Sequence, residues 1–264
     1  MAWWGKIVGG TFGFMLGGPL GAAFGAAIGH SFDKGVSQPH YTPGTQQEQI
    51  QAAFFTATFS VMGHIAKADG RVTPDEIALA TTVMRNMALN REQTKVAQGL
   101  FNQGKQGQIN LDQLLRQFRQ VCGRRRNLLL MFVEVQIHAA YADGSLHPGE
   151  ARALERIAVT LGFNRVEFDQ IEARVKAERA GGGPGRARPS SDAMSLEDAY
   201  GVLGIEASAS DPELKKAYRR LMNQHHPDKL VAKGLPEEMM KIATEKAQNI
   251  KAAYEIAKRD RGLK

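Results

Sequence analysis

Hydrophobic positions change their pattern several times along the chain. A run without charge extends from Ile7 to Phe32, between Lys6 and Asp33. From Gln46 to about Glu178, apolar residues recur at helical spacing in several stripes that include Phe54, Phe55, Phe59, Leu115, Phe118, Phe132, Val133 and Ile157. Residues 180–193 carry Gly181-Gly182-Gly183-Pro184-Gly185 and Pro189-Ser190-Ser191, a flexible linker between these stripes and the C-terminal part of the chain. After Ser195 the helical period returns. Its clearest stretch sets Leu214, Ala217, Tyr218 and Leu221 on one face and Lys215, Lys216, Arg219, Arg220 and Asn223 on the other. The pattern predicts an all-α protein. Its parts are an N-terminal segment (1–36) with a single transmembrane helix, a tether (37–45), a helical bundle (46–178), a linker (179–194) and a C-terminal helical hairpin (195–264).

As a helix, the Ile7–Phe32 run is about 39 Å long, enough to cross a bilayer with tilt. Glycines at 5, 9, 13, 17, 21, 25 and 29 recur every fourth residue and form one groove where two helix backbones can meet. The groove predicts a homodimer through Gly9, Gly13, Gly17, Gly21 and Gly25, with Trp3 and Trp4 at a membrane interface. The competing readings are a cleaved signal peptide and a soluble glycine-rich tail. Lys6 and Lys34 flank the run on opposite sides, so charge leaves orientation open.

The bundle contains an internal repeat. Gly63-His64-Ile65-Ala66-Lys67-Ala68-Asp69-Gly70 recurs as Ile137-His138-Ala139-Ala140-Tyr141-Ala142-Asp143-Gly144, an offset of 74 residues that also aligns Leu89-Asn90-Arg91 with Phe163-Asn164-Arg165. In each copy Gly70 or Gly144 closes one helix, and Pro74 or Pro148 opens the next with Glu76 or Glu150 at the third position. These carboxylates read as caps, and His64 and His138 as packed helix residues.

In the C-terminal part, Asp211 can cap the long basic helix, Pro212 suits its first position and Glu213 complements its dipole. Pro227 ends that helix at His226 and leaves the imidazole and the Asp228 carboxylate on a stiff turn. Ser195 caps a shorter helix that Gly204 ends. Pro236 and Glu237 start the last helix, whose Met240, Ala243, Ala247, Ile250 and Tyr254 should pack on Leu214, Tyr218 and Leu221.

Composition narrows the function. One cysteine, Cys122, excludes an intramolecular disulfide framework and zinc modules built on Cys-x-x-Cys pairs. The net charge of +7 is spread over several segments, and the one tight run, Arg124-Arg125-Arg126, reads as a solvated turn or helix end, so no nucleic-acid partner is expected. Neither a nucleophile paired with a base nor a phosphate loop stands out, so no enzyme activity and no cofactor are expected.

Tyr200, Leu203-Gly204, Leu214 to Leu221, His226-Pro227-Asp228-Lys229 and Ile250-Lys251-Ala252-Ala253-Tyr254 together resemble a J domain, from about Ser195 to the C-terminus. The resemblance implies a DnaK-type chaperone as partner, contacted through His226, Pro227 and Asp228 with Lys215, Lys216, Arg219 and Arg220. Residues from about Gln46 to Glu178 resemble the TerB-like domain of tellurite-resistance proteins. Its proposed acidic metal ligands would fall on Asp69, Glu76, Asp143 and Glu150 here, yet a lone Asp-Gly lacks the staggered carboxylates of a calcium loop. The order of parts resembles that of membrane-anchored J-protein co-chaperones of the bacterial inner membrane. That likeness implies a short periplasmic N-terminus, a cytoplasmic bulk and stimulation of the chaperone's ATP hydrolysis. The alternative makes the TerB-like bundle primary, as a metal-responsive or stress-sensing membrane module with the J domain as its output.

Overall fold

The computed structural model describes residues 18–29, 45–67, 81, 84–85, 87, 89–141, 146–180 and 194–263, and among them there is no strand. The chain forms two compact units, Met1–Phe163 with Lys233–Glu238 and Asn164–Ala232 with Met239–Lys264.

The helices of the first unit are α1 (Gly18–Gly29), α2 (Gln46–Ala66), α3 (Arg91–Lys105), α4 (Leu111–Cys122), α5 (Arg126–Ala140) and α6 (Pro148–Leu161). Thr45 starts α2, its hydroxyl accepting from the Glu48 amide while the Glu48 carboxylate accepts from the Thr45 amide, so two otherwise orphaned donors are satisfied. Helix α2 is buried over most of its length and packs against α3, α4 and α5. Phe54 meets Phe118 and Phe132 edge to face, each at 5.8 Å between centroids, which ties α2 to α4 and α5 in one aromatic core. Helices α2 and α3 approach closely at two glycines. A Cβ on Gly63 would stand 2.0 Å from the Phe101 carbonyl oxygen, and one on Gly104 would stand 1.9 Å from that of Ser60.

The repeat is visible in the geometry. Helices α2 and α5 end at Ala66 and Ala140, 74 residues apart, just before Asp69-Gly70 and Asp143-Gly144, which lie outside the described residues. Asn90 and Asn164 each accept from the amide three residues on, at 2.9 Å, and donate their own amide to the side chain of Gln93 or Glu167, also at 2.9 Å. The Arg124-Arg125-Arg126 run forms the turn between α4 and α5, where the Arg126 guanidinium lies 4.6 Å from the centre of the Phe163 ring.

Of the predicted membrane span, only Gly18–Gly29 is described. Leu20, Ala23 and Phe24 are buried, α1 packs on α2, α3 and α4, and the Leu20 amide donates to the Gln117 side-chain oxygen at 2.9 Å. No helix among the described residues is long and apolar enough to cross a membrane.

The second unit holds α7 (Arg165–Ala180), α8 (Leu196–Leu203), α9 (Asp211–His225), α10 (Pro227–Ala232) and α11 (Met240–Asp260), the last preceded by a 3-10 turn at Glu237–Met239. Val202, Leu203, Leu214, Leu221, Ile250 and Ala253 form its core. The period read from α9 puts Leu214, Ala217 and Leu221 inside as expected, with Tyr218 half-buried. Three local readings differ from expectation. Ser210, one residue before Asp211, caps α9: its amide and hydroxyl both donate to Glu213 Oε2 at 2.7 Å, which makes Asp211 the first helical residue. Met240 stays exposed at the start of α11, because the 3-10 turn ahead of it buries Met239 instead. The third concerns α7, which the repeat groups with the bundle but which packs on α8.

Candidate functional site

His226 sits at a joint between two helices. As the last cap of α9 it leaves the helical region (φ −61°, ψ 123°), the conformation that a following proline favours. Its carbonyl accepts from the Leu230 amide at 3.0 Å, so it also opens α10. Pro227 is the first residue of α10, where its missing N–H leaves no bond unmade. The predicted stiff turn is thus a corner between two helices, held on both sides. Lys229 Nζ donates to Asn223 Oδ1 in the last turn of α9 and closes the corner from outside. Asp228 is exposed and His226 half-buried. His226 Nδ1 is shut off from solvent with no hydrogen-bond partner among the described residues, so the exposed part of the residue excludes that nitrogen. The neighbouring His225, which the sequence alone does not distinguish, is buried, and Leu230 is buried below the corner.

Lys215, Lys216, Arg219 and Arg220 are all exposed on α9. The structure therefore offers an exposed carboxylate, a half-exposed imidazole and four cations on consecutive turns of one helix and its corner.

Arg261, which sequence reasoning passed over, holds the other end of α9. Its Nε donates to the Tyr200 hydroxyl at 2.9 Å, Nη1 to the Ala209 carbonyl at 2.6 Å and to Asp211 Oδ1 at 3.2 Å, and Nη2 to the Ala207 carbonyl at 3.0 Å. One guanidinium thus fastens the end of α11 to α8 and to the turn that leads into α9.

Three segments of the chain match known families: residues 1–39 the Co-chaperone DjlA transmembrane domain, 55–173 the Tellurite resistance protein TerB family and 198–261 the DnaJ domain. Among curated proteins, the chain is 45% identical to Co-chaperone protein DjlA of Vibrio cholerae serotype O1 over 98% of this chain and 99% of that one. It is 44% identical to the proteins of the same name from Salmonella typhimurium and Escherichia coli K12, each over the full length of both chains. The chain belongs to the DjlA co-chaperone family. No solved structure matches it.

The DnaJ match encloses the whole joint, and Arg261 is its last residue. A DjlA co-chaperone is a J-domain regulator. Cys122 is fully buried, and burial pushes its thiol pKa up to about 12, far from a nucleophile at neutral pH. Glu150 accepts from the His147 amide at 3.0 Å at the start of α6, as a helix-capping carboxylate does. Asp69, Glu76 and Asp143 lie outside the described residues, as do Gly9, Gly13 and Gly17, while Gly21 is buried in α1. Among the described residues no group of three or more metal-ligating side chains converges.

Proposed function

We propose that this co-chaperone recruits a DnaK-type chaperone and stimulates its ATP hydrolysis through His226, Pro227 and Asp228, with Lys215, Lys216, Arg219 and Arg220 guiding the encounter. The observation that carries the reading is the doubly capped corner at His226. A loop already ordered by two helix ends loses little entropy on binding, an exposed carboxylate can accept charge-assisted hydrogen bonds, and four exposed cations raise the encounter rate with an acidic surface. The match of residues 1–39 to a transmembrane domain supports an anchor in the cell inner membrane. We place the bulk of the chain on the cytoplasmic side, because a DnaK-type chaperone and its ATP are found there. Pairing of two anchors through the glycine groove would make the molecule a homodimer.

The test uses the full chain in detergent with a purified DnaK-type chaperone. Retention of the chaperone with ATP and its loss without ATP, together with faster ATP hydrolysis, is the expected result. Hydrolysis at the basal rate over a wide range of co-chaperone concentration contradicts the reading.

A further inference from the structure

The first unit carries a surface of one charge that the chaperone reading leaves unused. From Gln113 to Val133 the chain has five arginines and no acid, so nothing within the segment can neutralise them. Leu114, Leu115, Phe118 and Cys122 are buried and fix the inner side of α4, which leaves Arg116 and Arg119 exposed. Arg124 is exposed and Arg125 half-exposed in the turn that follows. The run that reads as a solvated turn is thus the end of a longer basic strip.

The hydrogen bonds of these side chains hold them without neutralising them. Arg119 Nη1 donates to the Thr160 carbonyl at 3.1 Å and Arg125 Nη1 to the Cys122 carbonyl at 3.4 Å, both uncharged acceptors. Arg126, the fifth, reaches the Gly162 carbonyl at 3.3 Å and lies over the Phe163 ring, so it serves the fold. Among the described residues Arg116, Arg119, Arg124 and Arg125 make no ion pair. The acids on α4 and on the helices packed against it are committed elsewhere. Asp112 pairs with Arg156 of α6 at 2.5 Å, Glu48 and Glu150 cap their own helices, Glu134 is buried, and Glu155 is engaged.

The strip stands beside the membrane segment. Helix α1 falls within the match to a transmembrane domain and packs on α4, where the Leu20 amide donates to Gln117, the neighbour of Arg116. A cluster of about four basic residues next to a membrane segment suits a surface of anionic lipid, and each cation held there strengthens attachment about fivefold. Arginine adds a planar fork of donors that fits two oxygens of one phosphate.

We propose that Arg116, Arg119, Arg124 and Arg125 form a headgroup-binding face that holds the bundle on the anionic surface of the membrane in which the chain is anchored. This rests on the anchor reading above and is independent of the chaperone reading.

The full-length protein is reconstituted into nanodiscs whose lipids carry a quencher on the headgroup, with a fluorophore attached at Gln120→Cys, an exposed position on α4. The native Cys122 is fully buried and stays unlabelled. Quenching should be about threefold stronger in discs of about one-third phosphatidylglycerol than in phosphatidylcholine discs, and high salt should remove the difference. Arg116→Glu combined with Arg124→Glu should abolish the difference, whereas Arg116→Lys combined with Arg124→Lys should keep most of it. Both positions are exposed and bond to nothing else among the described residues, so the variants should fold with wild-type circular dichroism. Equal quenching of the wild type in the two lipids, or an undiminished difference in the charge-reversed protein, overturns the proposal. Arginines made for an acidic protein surface would show no lipid difference and would instead weaken chaperone stimulation by the charge-reversed protein in detergent, which overturns it as well. A protein that stays out of phosphatidylcholine discs removes the anchor reading and this proposal with it, whereas incorporation with equal quenching removes this proposal alone.

Discussion

The phenol rings of Tyr218 and Tyr254 stack with centroids 4.1 Å apart and planes 15° apart. This contact fixes the rotation of α9 on α11, with Leu214 and Leu221 buried and the four cations left outside. Tyr254→Ala should destabilise the J-domain unit by about 1–3 kcal/mol, since it removes a half-buried ring together with its stacking partner's contact. Tyr254→Phe keeps the ring and should change stability by less than about 0.5 kcal/mol. Urea unfolding followed by circular dichroism measures both, and equal losses would show that the hydroxyl rather than the stack holds the helices.

The approach of α2 to α3 leaves no room for a methyl group at either glycine. Gly63→Ala and Gly104→Ala place a carbon about 2 Å from a backbone carbonyl oxygen, so the helices must separate. Overpacking of this kind costs about 1–3 kcal/mol or more and outweighs the gain of about 1 kcal/mol in helix propensity from Gly to Ala. Thermal melts should show both variants below wild type. A variant melting above wild type would mean that α3 does not lie against α2 as described.

His64 gives the bundle a sensitivity to acid. Burial and the charge of Arg156 hold its pKa below 6.5, against the opposing influence of Asp112. The unfolded chain therefore binds the proton more tightly than the folded one, and stability falls as pH drops through 6.5 toward the lower folded value. His64→Gln should melt with a smaller difference between pH 7.5 and pH 5.5 than wild type. An unchanged difference would assign the acid sensitivity elsewhere.

Much of this fold was legible because its signals are local. The 3.6-residue stripe on α9, the proline at 227 and the cap at Ser195 each act within one turn, and the repeat at 74 residues located the matching ends of α2 and α5. Local signals also competed: Ser210, Asp211 and Pro212 are all good helix starters, and only the bonds to Glu213 show that Ser210 does the capping. What could not be read joins residues distant in sequence. Arg261 reaches Tyr200 and Ala207 across more than fifty residues, and Glu178 is indistinguishable from a surface carboxylate until Lys246 is beside it. The signal for α7 was nonetheless present, since Gly104 and Leu100 are replaced in the second copy by Glu178 and Arg174.

The anchor and its pairing are tested together. The protein should resist carbonate extraction from membranes, and protease should reach the J domain in lysed cells but not in intact spheroplasts. Gly9→Leu combined with Gly13→Leu should weaken self-association in a membrane two-hybrid assay, because bulk at every fourth position keeps two backbones apart, whereas Phe14→Leu should not. Equal effects of the two changes would rule out the glycine groove as the contact.

The most direct test of the account is single-turnover ATP hydrolysis by a DnaK-type chaperone in the presence of His226→Gln. The residue is half-exposed at a corner formed largely by backbone bonds, so the variant should fold with wild-type circular dichroism. The account predicts hydrolysis at the basal rate. A folded His226→Gln protein that stimulates hydrolysis as fast as wild type would contradict it.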